Sequence, residues 1–189
     1  MTLEEEIKHS VQLLQEGKII LYPTDTIWGI GCDATNTKAV QRIYKLKQRD
    51  DSKSMIILLN DAEKLADYVD EVPPVAYDLI ANSKSPLTII YRGAKNISKK
   101  LIAQDGSVAI RIVKGRFTAA VIAQLGKPIV STSANISGQP PAATFDQISP
   151  AIKDNMDYIV EHFRDRTRSM KPSTIIRLEE KGRFTVIRP

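Results

Sequence analysis

The stretch Lys18-Ile19-Ile20-Leu21-Tyr22-Pro23-Thr24-Asp25-Thr26-Ile27-Trp28-Gly29 decides the fold class. Its first five residues are a short β-favouring run, and Pro23 halts it before a polar loop of two threonines and an aspartate. Upstream, residues 3–16 place Leu3, Ile7, Val11 and Leu14 near one face at helical spacing, and Gly17 stands where a helix C-cap is expected. A helix thus feeds a strand that ends in a loop of hydroxyls and a carboxylate. That is the basic unit of an α/β sheet, whose ligands bind beyond strand ends.

The rest of the chain repeats the alternation. Thr37 can cap a second helix that carries Val40, Ile43 and Tyr44 to about Lys47. Ser54–Leu59 reads as a buried strand, residues 61–68 and 74–82 as helices, and Leu87–Tyr91 and Val108–Ile112 as strands. A helix over 117–125, a strand at Ile129–Ser131, and loop with short helical pieces to about 154 follow. Tyr158–Val160, Thr174–Leu178 and Phe184–Ile187 close the sequence as strands. Interleaving of this kind, without repeats or low-complexity linkers, predicts one α/β domain over 1–189 with a mixed sheet.

Composition agrees: 189 residues, 42% hydrophobic and 26% charged, suit one globular domain with an ordinary core. One cysteine, Cys32, and two histidines, His9 and His162, exclude an internal disulfide and a Cys/His zinc cluster. The acidic start Met1–Glu6 is unlike an export signal, and no apolar run reaches the ~20 residues of a membrane span, so a soluble cytoplasmic protein is expected. The net charge of +5 is unevenly spread. Residues 92–127 hold eight basic residues against one acidic, and residues 161–189 hold eight against four, whereas residues 1–91 are net negative. Two such segments are either solvated faces or a surface for a polyanion.

No phosphate-cradling Gly-x-x-x-x-Gly-Lys-Ser/Thr loop is present, so any ATP must be held otherwise. Gly29-Ile30-Gly31-Cys32-Asp33-Ala34 fits the loose dinucleotide pattern, with Asp50 and Asp51 downstream, but it neither directly follows the strand nor opens a helix. The glycines are better read as close backbone packing at a bend. His9, on the first helix, and His162, in an irregular stretch, read as surface or structural groups rather than members of a catalytic triad.

Three segments carry more chemistry. Tyr22–Gly29 presents hydroxyls and a carboxylate beyond a strand, or else forms an ordinary Asx/Ser-Thr turn. In Lys45-Leu46-Lys47-Gln48-Arg49 an extended backbone would point Lys47 and Arg49 the same way toward one anion, whereas a helical one would make a solvated helix end. Ser131-Thr132-Ser133-Ala134-Asn135 leaves a strand with small side chains that let main-chain donors approach a phosphate.

These motifs, together with Ser107-Val-Ala-Ile-Arg111, Ser173-Thr-Ile-Ile and the final Ile-Arg188-Pro, occur in an order that resembles the YrdC/TsaC family of threonylcarbamoyl-AMP synthases, from about residue 10 onward. The resemblance implies a twisted open mixed sheet flanked by helices with a concave basic face. It implies a catalytic domain alone, without the extra C-terminal domain of longer members. It implies condensation of ATP, L-threonine and bicarbonate, with Mg2+ on the phosphates, and transfer by the t6A machinery to tRNA. Carried over by position, Lys47 and Arg49 would hold ATP phosphates as the catalytic pair. Ser107, Ser133, Asn135 and Arg188 would bind the nucleotide, and Thr24, Arg111, Thr132 and Ser173 the threonine. The chain departs from the family pattern at Trp28, Asp50, Ser54 and Leu58, mostly in the loop after Lys47. A tRNA or double-stranded RNA-binding module, or a paralogue without synthase activity, are the alternatives on the same fold.

Overall fold

The computed structural model describes residues 1–50, 53–165, 172–179 and 182–189. Its first helix, α1 (Leu3–Gln15), begins at a capping box in which Thr2 and Glu5 satisfy each other's backbone N–H groups. It buries Ile7, Val11 and Leu14 and ends where Gly17 turns left-handed at φ 76°. Next come β1 (Ile20–Pro23) and β2 (Trp28–Gly31), an antiparallel hairpin with Pro23 opposite Trp28. Pro23 lies within the strand rather than beyond it. The neighbouring strand on its other side pairs only with Ile20 and Leu21, so the N–H that proline lacks has no ladder partner to lose there.

β2 is the element the sequence conceals, since Gly29 and Gly31 point to a bend. In the structure they permit close strand packing. A Cβ on Gly31 would lie 2.5 Å from the Val130 carbonyl oxygen and 2.6 Å from Cε1 of Tyr22. The dinucleotide reading fails for the same reason, because the pattern forms a strand paired on both sides. Asp51 lies outside the described residues.

Helix α2 (Thr37–Lys47) is capped by Asn36, whose side chain accepts from Ala39 N, and not by Thr37, whose hydroxyl bonds that of Ser98. Then follow β3 (Ile56–Leu59), a 3-10 turn at Ala62–Asp67 in place of the expected helix, α3 (Pro74–Asn82), β4 (Leu87–Tyr91) and β5 (Val108–Ile112). Helix α4 (Arg116–Leu125) packs on α1 and leads to β6 (Ile129–Ser133). The chain closes with α5 (Pro150–Lys153), β7 (Tyr158–Ile159), β8 (Thr174–Leu178) and β9 (Phe184–Arg188).

The strands form one nine-stranded sheet in the order β7-β1-β2-β6-β3-β5-β4-β8-β9, mixed in direction: β1–β7, β3–β5 and β4–β8 are parallel and the other pairs antiparallel. The mixed α/β sheet expected from the sequence is therefore present. The basic run 92–127 does not stay together. Lys95, Lys99 and Lys100 precede β5, whereas Lys114 and Arg116 follow it, at opposite ends of that strand.

A second anchor ties the chain's last third to its first helix. Glu6, fully buried, accepts hydrogen bonds from the Tyr158 hydroxyl (2.9 Å), the backbone N–H groups of Glu161 and His162, and the His162 ring. Burial works to raise its pKa, but these donors outweigh it and hold the carboxyl below its ordinary value. His162 is thus structural, and His9 stacks edge-on against Tyr158.

Candidate functional site

Register across the sheet assembles the site. Arg111 on β5 stands beside Leu58 of β3 and Thr88 of β4, Thr88 beside Ile175 of β8, and Ile175 beside Arg188 of β9. Residues in register share a face, so Arg111, Thr88 and Arg188 form one lateral row. A bulge between Ile175 and Ile176 sets Arg188 into that row. Val186 opposes Ile176, and regular pairing would place Ile187 opposite Ile175, but the irregularity puts Arg188 there. On the other flank Gly29 of β2 pairs with Ser133 of β6, and Ser131 with Ile56 of β3, which gives a floor of small side chains. Because β6 continues to Ser133 and does not stop at Ser131, this floor reaches the strand end.

Above the floor lies a cavity of about 160 Å³ lined by Thr24, Thr26, Ile27, Gly29, Arg49, Ser54, Met55, Ile56, Arg111, Ser131, Thr132, Ser133, Pro172, Ser173 and Arg188. Among the described lining residues three are arginines and none is an aspartate or glutamate. Burial lowers the pKa of Arg49 and Arg188, and for Arg188 the nearby Arg111 charge adds to the effect. A guanidinium stays charged through shifts of this kind, so the described lining of the cavity is positively charged.

Each arginine is held by neighbouring groups. Arg188 donates through Nε (3.0 Å) and Nη2 (2.8 Å) to the Ser173 carbonyl, and the Ser173 hydroxyl meets that of Thr88 at 2.7 Å. Arg49 donates to the carbonyls of Lys53 (2.7 Å) and Ser54 (3.0 Å). Arg111, only 4% exposed, faces Asp25 at 3.1 Å through Nη2, while its Nε–H has no hydrogen-bond partner. A buried donor without a partner costs about 1–3 kcal/mol.

Lys47 and Arg49 do not share an extended strand. Lys47 ends α2, Gln48 turns left-handed at φ 50°, and Arg49 leaves the helix. Nor is this a solvated helix end, since Lys47 is 1% exposed. Its Nζ donates to the carbonyls of Ser133 (2.6 Å) and Asn135, and its own carbonyl accepts from Ser137 N–H (3.0 Å). Desolvation, with the Arg49 charge adding to it, pushes the ammonium down to about 8. Lys47 thus staples the loop leaving β6. In that loop Asn135 donates to the Gln139 and Ile136 carbonyls, and its buried Oδ1 has no partner.

Of the residues singled out in sequence, Thr24, Arg49, Arg111, Thr132, Ser133, Ser173 and Arg188 line the cavity, and Lys47 and Asn135 border it through the β6 loop. The Thr24 hydroxyl is committed to its own turn, donating to the Ile27 carbonyl at 2.5 Å, and its methyl faces Gly29. Thr132 alternates with Ser131 and Ser133, so it meets the cavity by its main chain. Ser107 is outside the lining, its hydroxyl bonded at 2.5 Å to Asp105, which Arg177 also holds. Sequence reasoning missed Met55, Ile56 and Pro172, and marked Ser54 only as a departure from the family pattern. The alternation of Gly29 and Gly31 against Ser131 and Ser133 was the available signal for the floor.

The structure thus presents a mixed α/β sheet and, beyond its hairpin, a cavity whose described lining holds three arginines and no carboxylate. The chain belongs to the Sua5/YciO/YrdC family, whose model, described as telomere recombination, matches residues 12–189. It is 31% identical over 178 residues to a threonylcarbamoyl-AMP synthase of Pseudoalteromonas translucida, covering 93% of this chain and 94% of that protein. It superimposes on P. abyssi Sua5 complexed with L-threonine with a TM-score of 0.86 and 26% identity, covering 97% of this chain but 53% of that one, so it spans about half of Sua5. E. coli YciO gives a TM-score of 0.83 at 25% identity, with 96% and 87% coverage.

Proposed function

We propose that the protein is an L-threonylcarbamoyl-AMP synthase, a nucleotidyltransferase that condenses ATP, L-threonine and bicarbonate and releases pyrophosphate. The observation that carries this is the cavity in which Arg49, Arg111 and Arg188 converge with no carboxylate among the described lining residues. Relatives of nearly the same length bear that name, and a related fold takes L-threonine.

Of the three lining arginines Arg111 alone is buried, while Arg49 and Arg188 are only partly buried, so Arg111 suits a ligand group held inside the cavity. Threonine therefore sits inside with its carboxylate on Arg111, a planar donor suited to a two-point grip. The nucleotide extends over Ser133 and the β6 loop, with Arg49 and Arg188 toward its phosphates. Lys47 sets that loop with two donors. The threonine amine takes up bicarbonate with loss of water to give a carbamate, whose oxygen attacks the α-phosphorus as pyrophosphate leaves. Charge stays on phosphate oxygens, so positioned cations and orientation supply the rate enhancement, with no covalent enzyme intermediate. Mg2+ enters as part of the MgATP substrate, because the described lining residues offer no carboxylate to hold it. The product is the donor for threonylcarbamoyladenosine in tRNA, handed on by the t6A transferase machinery.

The test is incubation with ATP, labelled bicarbonate and L-threonine, with chromatography for labelled threonylcarbamoyl-AMP. Failure with threonine, serine and other amino acids alike refutes the reading.

A further inference from the structure

Asp25 is a carboxylate that the function above leaves unused. It lies in the loop between β1 and β2 and reaches Arg111 Nη2 at 3.1 Å, yet it does not line the arginine cavity. It lines two surface depressions instead, one with Pro86, Leu87 and Lys114 and the other with Arg116 and Phe117. The Arg111 guanidinium therefore forms a wall, with Asp25 on its outer side and the cavity on its inner side. Among the described residues Asp25 is the one carboxylate paired with Arg111, and on the inner side Arg188 is close enough for the two charges to repel. The contact is Coulombic rather than a well-aligned hydrogen bond, and it leaves the Arg111 Nε–H without a partner.

We infer that Asp25 is a positioning residue for carboxylate recognition: its charge draws on Arg111 Nη2 from outside the cavity and holds the guanidinium in place at the cavity wall. Its negative charge also lets Arg111 and Arg188 converge on one small cavity. Preorganisation of this kind raises affinity by removing the need to order the arginine when the ligand binds. The inference rests on the reading of Arg111 as the threonine carboxylate site, and it adds a residue that acts through Arg111 without touching substrate.

The test compares L-threonine with L-threoninol, which lacks the carboxylate, by calorimetry on wild type, Asp25→Asn and Arg111→Ala. Asparagine has nearly the same shape as aspartate, and Asp25→Glu serves as a second variant that keeps the charge. Wild type binds threonine more tightly than threoninol. Asp25→Asn weakens threonine about tenfold and leaves threoninol within twofold, so the preference shrinks, and Asp25→Glu recovers part of it. Equal weakening of both ligands by Asp25→Asn means a merely structural role and overturns the inference, as does unchanged threonine affinity. If Arg111→Ala leaves the threonine preference intact, the functional reading itself fails, which distinguishes that failure from the failure of Asp25 alone.

Discussion

Replacing Lys47 by methionine separates what this residue does for the fold from what it does for the reaction. The ammonium is 1% exposed and titrates at about 8 against an ordinary value near 10.5. Each pH unit between those values is worth about 1.4 kcal/mol, so at neutral pH burial of the charge works against folding by about 3 kcal/mol. Methionine of similar length removes that penalty. It also strips the Ser133 and Asn135 carbonyls of their donor, at roughly 1–3 kcal/mol each. The opposing effects leave a net change between about 1 kcal/mol of gain and 3 kcal/mol of loss, a midpoint change of roughly −12 to +4 °C at 2–4 °C per kcal/mol. Activity does not survive so well. Loss of the staple displaces the β6 loop and lowers pyrophosphate release by about 10²–10³-fold. Urea denaturation across pH 7 to 10.5 supplies the sharper measurement. Between about 8 and 10.5 the unfolded chain keeps the Lys47 proton and the folded chain has lost it, so wild-type stability rises with pH in that window. The difference between wild type and Lys47→Met should climb by about 1.4 kcal/mol per pH unit there, to about 3 kcal/mol in all, and stay flat below it. A difference that is flat throughout would show that the amine is not desolvated, and activity within twofold of wild type would show that the staple does not matter.

Two further substitutions test the frame around the site. Glu6→Ala strands the Tyr158 hydroxyl and the N–H groups of Glu161 and His162, and should cost about 3 kcal/mol or more, a fall of roughly 6–12 °C in thermal midpoint. Because the Glu6 pKa is lowered in the fold, its contribution is fully present above the ordinary glutamate value and fades as pH falls through the folded one, so wild type and variant converge in acid. Gly31→Ala forces a Cβ to within 2.5 Å of the Val130 carbonyl, where strand backbone cannot yield, and should lower stability by several kcal/mol, read as loss of soluble, cooperatively unfolding protein.

Strand-forming runs and amphipathic helices were legible in the sequence because each depends on local pattern. Leu87–Tyr91, Val108–Ile112, Thr174–Leu178 and the helix at 74–82 fall where periodicity places them. The small-residue run at 131–135 and the loop Tyr22–Gly29 pointed to the site through side-chain size and strand-end position. The resemblance of ordered motifs marked Lys47, Arg111 and Arg188 without saying where they lie.

Tertiary structure decided the rest, for reasons no local window contains. Gly29–Gly31 forms a strand because a tyrosine ring and a neighbouring carbonyl occupy the space a side chain would need. Lys47 is buried because two carbonyls of a segment more than 80 residues away receive it, although as a helix-end lysine it read as solvated. Arg111 and Arg188 share a row because sheet register and one bulge bring them together. Composition, local pattern and motif order were properties of the sequence alone. Which cations face one another across a cavity, and which carboxylate stands behind them, depends on long-range pairing and could be settled only by the folded sheet.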